Sequence, residues 1–255
     1  MDWAALYLFL AITGRMTGFV FFNPLFGRTN LPSMVKAGFS LLLAVTVFLM
    51  EPAVPAVPIT LLELSVRFLL EMALGYILGL VVNLFFFIPL MAGSLIDGQM
   101  GMSMGATYDP GSGANMSVSA SLLNLLMMLL FFAANGHHTL LRIILTSGDI
   151  VPFGSVSLGP ELYSAVIELF IQCVFLGVKL CMPVLGAELL GQIGMGILMK
   201  VIPQINVFAI NIELKVIIGL VMILFLLTPF SEFLLACERT MLSSLDKLLP
   251  LMGPS

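Results

Sequence analysis

The sequence predicts an all-α integral membrane protein, on the strength of its composition, its segment pattern and its prolines. Hydrophobic residues make up 60% of the 255 positions and charged residues only 9%, whereas soluble domains average about 45–50% apolar and about 25% charged residues. About six apolar segments stand out, and a segment in lipid must satisfy its own backbone hydrogen bonds, which favours helices. With no linker or charge block between them, we expect a single helical membrane domain over residues 1–255.

The first three apolar segments differ in length. They cover residues 3–26, 37–50 and 68–96. The first begins without a basic region or a cleavage pattern, so we expect it to be retained rather than removed as a signal peptide. The second has 14 uncharged residues, fewer than the roughly 20 that cross the hydrocarbon core. Gly14-xxx-Gly18 in the first segment and Gly75-xxx-Gly79 in the third predict close helix packing.

The last three apolar segments contain features that disturb regular helices. They cover residues 117–145, 162–187 and 214–236. Prolines within or beside the apolar segments remove backbone donors and clash with the preceding turn. They are Pro24, Pro89, Pro183, Pro203 and Pro229. We predict kinked or broken helices, and a subunit of a larger assembly rather than a lone bundle, because freed backbone groups at membrane depth need a covering protein or a water-filled cavity.

Charge, cysteine and histidine patterns argue against several classes of protein. The net charge of −4 is spread along the chain without a basic patch, so we predict no nucleic-acid partner. The cysteines lack CxxC spacing, which favours buried side chains over a disulfide or a zinc site. The adjacent His137 and His138 fit an interfacial turn better than a metal or catalytic pair. Without a GxSxG, HExxH or P-loop motif, we predict no enzyme activity and no cofactor.

Charged side chains inside apolar helices need a partner or water, because each costs about 2.5–3.5 kcal/mol on insertion scales. Arg15 lies in the middle of the first segment and needs an acceptor. Glu168, Gln172 and Lys179 are spaced by four and seven residues, which places them on one stripe of a helix. That stripe is either the wall of an aqueous path or, as we favour, a polar seam against another subunit.

Two similar stretches suggest an internal repeat. The first runs from Pro89 through Asp97 to Gly98-Gln99. The second runs from Pro183 through Glu188 to Gly191-Gln192. Both acidic residues are candidate partners for basic groups. Because repeats with broken helices occur in transporters, a secondary transporter of a small solute is an alternative function. An intramembrane hydrolase is a third class, but no nucleophile with a base points to it.

Residues 98–113, GQMGMSMGATYDPGSG, follow a long apolar stretch. Glycine bends at low steric cost, and methionine side chains repack around varied shapes. A soft seal that yields to many polypeptides is one interpretation, and a flexible extramembrane loop is the other. Tyr108, Asp109 and Pro110 belong to a turn that returns the chain to the next helix.

Short motifs run along nearly the whole chain in a recognisable order. They are RMTGF at residues 15–19, NPLFG at 23–27, DGQMG at 97–101, NGHH at 135–138 and PQINVF at 203–208. In this order they resemble the FliR family of flagellar type III protein-export components, more closely than the related injectisome subunit. Lys200 departs from the arginine common in that family, and bidentate hydrogen bonding would be lost there.

The resemblance implies kinked or broken helical hairpins packed within a larger helical hetero-oligomer. It implies a subunit of an export gate in the bacterial inner membrane, at the flagellar basal body and extending to the periplasmic side. It implies assembly with FliP and FliQ, contact with FlhB and FlhA, and passage of unfolded flagellar proteins, all surrounded by membrane lipid. It also implies that the segment after Asp97 is a plug across the closed pore.

Site residues are predicted in two groups. The plug or seal would contain Met100, Gly101, Met102, Met104, Tyr108, Asp109 and Pro110. Buried polar or interface positions would be Arg15, Asp97, Gln99, Glu168, Gln172, Lys179, Glu188, Lys200, Gln204 and Asn206.

Overall fold

A computed structural model of the chain describes residues 3–27, 31–50, 57–102, 117–201 and 207–253. Every regular element within these ranges is a helix. The elements are α1 (Trp3–Phe22), α2 (Ser33–Leu49), α3 (Leu61–Met100), α4 (Val118–Ala133), α5 (Gly136–Leu145), α6 (Ser147–Ile150), α7 (Pro160–Val201), α8 (Val207–Phe225), α9 (Leu227–Leu248) and a final 3-10 helix (Leu249–Met252). The predicted all-α class is confirmed.

Three of these helices are long and apolar enough to cross a membrane, namely α1, α3 and α7. Two further spans are broken: α4 and α5 form a pair bent by 70°, and residues Glu213–Phe225 meet Leu227–Met252 at 63°. Helix α2 has 17 residues and stays short of a full span, as the sequence predicted. The predicted mixture of simple and broken helical segments is therefore confirmed.

The breaks do not fall at the prolines inside α3 and α7. Asn135 adopts a left-handed backbone conformation, with φ 59°, between α4 and α5, a conformation that asparagine tolerates better than most residues. Pro229 lies in the first turn of α9, just after the second break. Pro89 and Pro183 lie within continuous helices, because a single proline removes only one helical hydrogen bond and can be accommodated by neighbouring groups.

The chain divides into two compact units. The first contains Met1–Phe85, Asn135–Ile171 and Glu238–Ser255, and the second contains Phe86–Ala134 and Gln172–Cys237. The expectation of a single membrane domain stays a prediction.

In the first unit, α1 and α2 form an antiparallel pair. The Phe9 and Phe48 rings meet edge to face at 5.7 Å between centroids, and the Phe26 and Phe39 rings lie 5.0 Å apart near the connection. The start of α1 thus lies beside the end of α2, so the two helices run in opposite directions. Aromatic pairs at such distances stabilise the packing beyond simple burial of area.

Helix α3 runs parallel to α1 within the same unit. Gly14 of α1 faces Phe68 of α3, and further along both helices Gly79 of α3 faces Phe22 of α1. Contacts therefore advance in the same direction along both helices. The close packing predicted from the two Gly-xxx-Gly pairs is confirmed.

Two glycines bring the α1 and α3 backbones together. A Cβ atom on Gly18 would overlap the Met72 carbonyl oxygen, and one on Gly75 would overlap the Arg15 carbonyl oxygen. Only glycine fits at such positions, because the obstacle in each case is backbone rather than a movable side chain. This approach fixes the depth at which the polar side chains of α1 meet those of α3.

In the second unit, the later part of α3 packs against the start of α4. A Cβ atom on Gly93 would overlap the backbone at Ala120, so these helices also touch through their backbones. Further along, the Phe86 and Phe131 rings meet edge to face at 5.8 Å. The start of α4 thus lies beside a later residue of α3 than its end does, so the two helices run antiparallel.

Candidate functional site

A buried ion pair lies at the contact between α1 and α3 in the first unit. Arg15 Nε donates to Glu71 Oε2 at 2.7 Å, and both side chains are completely buried. Arg15 Nη1 donates to Ser147 Oγ at 3.1 Å, and its guanidinium lies 4.2 Å from the centre of the Phe153 ring. Glu71 Oε1 accepts from the Gly154 backbone N–H at 2.6 Å. The charges are paired and hydrogen-bonded, which is what allows them to be buried.

Glu71 is the acceptor that Arg15 required, and the sequence interpretation missed it. It had offered Asp97 and Glu188 as candidate partners for basic groups, whereas the structure pairs Arg15 with Glu71. A signal was available, because Glu71 lies one helical turn before Gly75 and Arg15 follows Gly14 directly. Packing the two glycine faces together brings these charges to the same level.

Asp97 forms a different kind of polar contact in the second unit. Its Oδ2 accepts from Ser117 Oγ at 2.6 Å and from the Ser119 backbone N–H at 3.1 Å, and its Oδ1 accepts from Ser119 Oγ. All three donors are uncharged. We call Asp97, Ser117 and Ser119 the Asp97 bridge, since they join the end of α3 to the start of α4.

The bridge caps the N-terminus of α4. Ser117 Oγ accepts from the Ala120 N–H at 3.2 Å while Asp97 takes the N–H of Ser119, so two of the otherwise unpaired N–H groups in the first helical turn are satisfied. The negative charge also lies at the positive end of the helix dipole. Asp97 is therefore suited to starting a helix that is distant from it in sequence.

The C-terminus of α3 is fixed by the backbone of the same region. Gly101 has φ 79°, its N–H donates to the Gly98 carbonyl, and the Met102 N–H donates to the Asp97 carbonyl at 3.0 Å. These are the two bonds of a Schellman motif, in which a left-handed glycine ends the helix. Asp97 thus holds the end of α3 with its carbonyl and the start of α4 with its carboxylate.

Met100 is buried at this helix end. Its side chain is completely buried beside Gly219 of α8, where a Cβ atom would overlap the Met100 methyl group. Glu188 of α7 also lies beside Gly219 and is completely buried, and neither of its oxygens has a hydrogen-bond partner in the part of the chain that the structure describes. Lys215 is the basic group whose charge acts on Glu188.

The structure separates the predicted seal residues into three sets. Met100 is packed inside the second unit, and Gly101 and Met102 are half-buried in the turn that follows α3. The other four lie outside the described residues, namely Met104, Tyr108, Asp109 and Pro110. Their role in a seal stays a prediction.

The remaining predicted polar positions are not gathered into one site. Gln99 is half-buried, and Gln204 and Asn206 lie outside the described residues. The exposed positions are Glu168, Gln172, Lys179 and Lys200, all on α7. Only 22% of the most apolar stretch of α7 is buried, against 56% for α1 and α3. Of the three long helices, α7, which carries the polar stripe, is therefore the one that the rest of the chain covers least.

Histidine and cysteine side chains form no recognisable metal site among the described residues. The rings of His137 and His138 lie 4.1 Å apart at the start of α5. No group of three or more metal-binding side chains occurs within the described ranges. The three cysteines are free and buried, as predicted: Cys173, Cys181 and Cys237.

Comparisons with known proteins place these features in a family. The model of "Bacterial export proteins, family 1" matches residues 6–239. A flagellar biosynthetic protein FliR from Bacillus subtilis (strain 168) is 27% identical, with 97% of this chain and 96% of the relative covered. The FliR of Escherichia coli (strain K12) is 25% identical, with 99% and 97% covered. The FliR of Aquifex aeolicus (strain VF5) is 28% identical, with 82% and 81% covered.

Proposed function

The chain belongs to the bacterial export proteins, family 1, and from this premise we propose that it is a subunit of the flagellar type III protein export apparatus. The single observation that carries the proposal is the family match over residues 6–239, with FliR relatives aligned over nearly their full length. The long apolar helices fit a membrane-embedded component. We further propose the inner membrane at the flagellar basal body as its location, with the assembled gate extending to the periplasmic side.

The proposed partners are FliP and FliQ within the gate, with FlhB and FlhA in contact with it. The exposed α7 supports a need for unlike subunits, because Glu168 and Lys179 are charged and exposed on a helix that is long and mostly apolar. Exposed charges at membrane depth are unfavourable unless protein or water covers them. A polar seam against a partner fits these positions, and unfolded flagellar proteins are the proposed transient substrates.

We propose that the segment between Met102 and Ser117 contributes to the seal of the closed gate. The described ends of this segment support the proposal, because the Asp97 bridge makes the chain leave α3 and enter α4 at one place. A segment anchored at both ends in this way can extend from a fixed base. Of the predicted seal residues, Met100 belongs to that base rather than to the segment.

The alternative of a secondary solute transporter has no support from the three relatives above, each of which is named as a flagellar biosynthetic protein. The polar groups that suggested a transporter also make contacts that a solute path does not require. Asp97 caps α4, and the stripe on α7 is exposed rather than directed into the chain.

Co-purification tests the proposed function. A tagged copy is purified from membranes that co-express the neighbouring flagellar export genes, and the mass of the intact complex is measured. We expect one large complex that contains FliP and FliQ. A homogeneous monomer or homodimer would contradict the gate assignment and would favour solute transport instead.

Deleting residues 103–113 tests the seal separately, because the deletion keeps the Gly101 turn and the Asp97 bridge. We expect a complex of normal mass that leaks small ions when no substrate is present. The control is Ser94→Ala, which removes an exposed hydroxyl whose bonds go to the Leu90 and Met91 carbonyls within α3. A deletion variant that assembles fully and stays tight refutes the seal.

A further inference from the structure

We propose that one face of α7 binds a membrane helix of an unlike subunit, and that this helix brings a basic side chain beside Glu168 and an acidic one beside Lys179. The inference names the partner chemistry of the α7 seam and rests on the proposed function. The face concerned carries charged, polar and apolar side chains together. We call it the mixed face and define it by Glu168, Gln172, Phe175, Lys179 and Met182.

Every exposed charge of α7 lies on one side of the helix. At 3.6 residues per turn, the four exposed charged side chains fall within an arc of about 60°. They are Glu161, Glu168, Lys179 and Lys200. The remaining charged residue of α7, Glu188, lies on the opposite side and is completely buried. Both acidic residues of the exposed side precede both basic ones, so this side is acidic toward the start of α7 and basic toward its end.

The composition of the mixed face fits contact with protein better than contact with lipid or water. Phe175 is 70% exposed and Met182 is 58% exposed, although Gln172 and Lys179 lie on the same side of the helix. Lipid tails provide no hydrogen-bond partner for the polar side chains, and contact with water is unfavourable for the two large apolar ones. A protein surface with its own apolar and charged groups covers both kinds at once. The mixed face is therefore suited to another membrane helix.

The charges of the mixed face require opposite charges from outside the chain. Glu168 and Lys179 lack an ion-pair partner within the described ranges. They are 11 residues apart in sequence, roughly 16 Å along the helix axis, so they do not pair with each other. Charges inside apolar helices need a partner or a wet environment. A helix with the reverse order of charges pairs both at once, and complementary charges of this kind also fix the register of the contact.

A second copy of this chain does not fit the mixed face. Helix α7 is long and apolar enough to cross a membrane, so copies inserted in one orientation have parallel α7 helices. A two-fold contact between parallel copies of the mixed face places Lys179 against Lys179 and Glu168 against Glu168. Like charges in contact disfavour such a pair. An antiparallel contact would match the charges, but it requires two opposite membrane orientations. The order of charges therefore selects an unlike helix.

Photo-crosslinking identifies the helix that covers the mixed face. A photoreactive amino acid replaces Phe175, whose strongly exposed side chain contributes little to packing within the chain. The tagged protein is co-expressed with the neighbouring flagellar export genes, and the adduct is mapped by mass spectrometry. We expect an adduct with an unlike subunit, on a helix that carries an acidic side chain near the attachment point. An adduct with a second copy of this chain, or with lipid alone, overturns the inference.

Reversing one charge measures its contribution to assembly. We expect Lys179→Glu to lower the recovery of the intact complex by about tenfold or more, because it places like charges in contact across the interface. Lys179→Arg keeps the charge and should assemble like the parent. Lys247→Glu is the matched control, since Lys247 is an exposed basic residue on another helix, α9, and the change in net charge is the same. Recovery of Lys179→Glu at the parent level, with FliP and FliQ present, overturns the inference and leaves the proposed function intact.

Exchanging the two charges separates partner recognition from a general need for charge. The double variant Glu168→Lys with Lys179→Glu keeps the net charge and reverses its order, so we expect assembly to be as poor as with Lys179→Glu alone. Parent-level assembly of the double variant overturns the inference. Changing the acidic residue that crosslinking identifies on the partner to lysine should restore the complex with Lys179→Glu, and a lack of rescue also overturns it. A parent protein that co-purifies with no unlike subunit contradicts the proposed function itself, and the inference then fails with it.

Discussion

Glu71 of the first unit and Asp97 of the second are both buried, but they are buried with opposite kinds of partner. In the first, Glu71 faces the guanidinium of Arg15, and its other oxygen accepts a backbone N–H. In the second, Asp97 accepts only from serine hydroxyls and a backbone N–H, and Glu188 has no hydrogen-bond partner within the described ranges. Glu71 is thus paired with a cation of its own unit, whereas Asp97 and Glu188 have no ion-pair partner among the described residues.

This difference separates a structural role from a functional one. A buried ion pair in which each charge makes a further hydrogen bond holds two helices together, and removing one partner is strongly destabilising. A carboxylate held by weaker neutral donors at the ends of a chain segment can be released at lower energy. The polar groups of the second unit are therefore the ones we connect with the gate, and the following variants test that contrast.

The largest effect is expected for Glu71→Gln. Arg15 would keep its charge in a fully buried position without a counter-ion, which costs about 3–5 kcal/mol when one partner of such a pair is removed. We expect the subunit to be nearly absent from membranes, measured by immunoblotting of the tagged protein. Replacing Arg15 and Glu71 together by methionine should restore much of the abundance. A single Glu71→Gln variant that accumulates normally would show that the pair does not support the fold.

Gly75→Ala is expected to be the next most damaging change. The new Cβ atom would overlap the Arg15 carbonyl oxygen and push α1 away from α3, and overpacking of this kind costs about 1–3 kcal/mol. The readout is the thermal unfolding of the purified complex. Gly38→Ala in α2 is the matched control, because its Cβ atom meets nothing and alanine is favoured over glycine in a helix by about 0.5–1 kcal/mol. Equal effects of the two substitutions would contradict the close approach.

Asp97→Asn should destabilise the protein less than Glu71→Gln. It leaves a neutral side chain among uncharged donors and gives up at least one hydrogen bond, at about 1–3 kcal/mol. We expect normal abundance in membranes with a lower unfolding temperature of the complex. Loss of the protein to the level of Glu71→Gln would remove the distinction between the two units.

Glu188→Gln is expected to have the smallest effect. No hydrogen bond of Glu188 is lost, because neither oxygen has a partner among the described residues. The charge of Lys215 attracts Glu188 and the charge of Asp97 repels it. The two effects of removing the carboxylate therefore oppose each other, and we expect the unfolding temperature of the complex to stay near that of the parent. A pronounced drop would mean that Glu188 acquires a partner in the assembled gate.

The sequence predicted the fold class and several helix features for clear physical reasons. Hydrophobicity and length identify α1 and α3, and the glycine pairs identify their contact. Helix continuity was harder to predict. Helices α3 and α7 continue through Pro89 and Pro183. One break falls instead at Asn135, and its left-handed backbone conformation cannot be predicted from hydrophobicity.

The site was less predictable than the fold because its contacts join residues distant in sequence. Asp97 and Arg15 were recognised as residues that need partners, but the partners Ser119 and Glu71 depend on helix register. Met100 was expected in the seal because of the family resemblance and its adaptable side chain. Its packing beside Gly219 could not be read from the sequence, and its role in a seal stays a prediction. Sequence identified the residues that needed contacts, and tertiary packing determined the contacts they made.

The Arg15–Glu71 pair also has a consequence for how the protein is made. Glu71 follows Arg15 by 56 residues, so at about 5–20 residues per second the ribosome supplies the counter-ion roughly 3 to 11 s after the charge. Ser147, whose hydroxyl accepts a hydrogen bond from Arg15, is made 132 residues after it. During that interval Arg15 lacks the counter-ion that it has in the folded protein, so we expect α1 to reach its final packing only after α3 has been made.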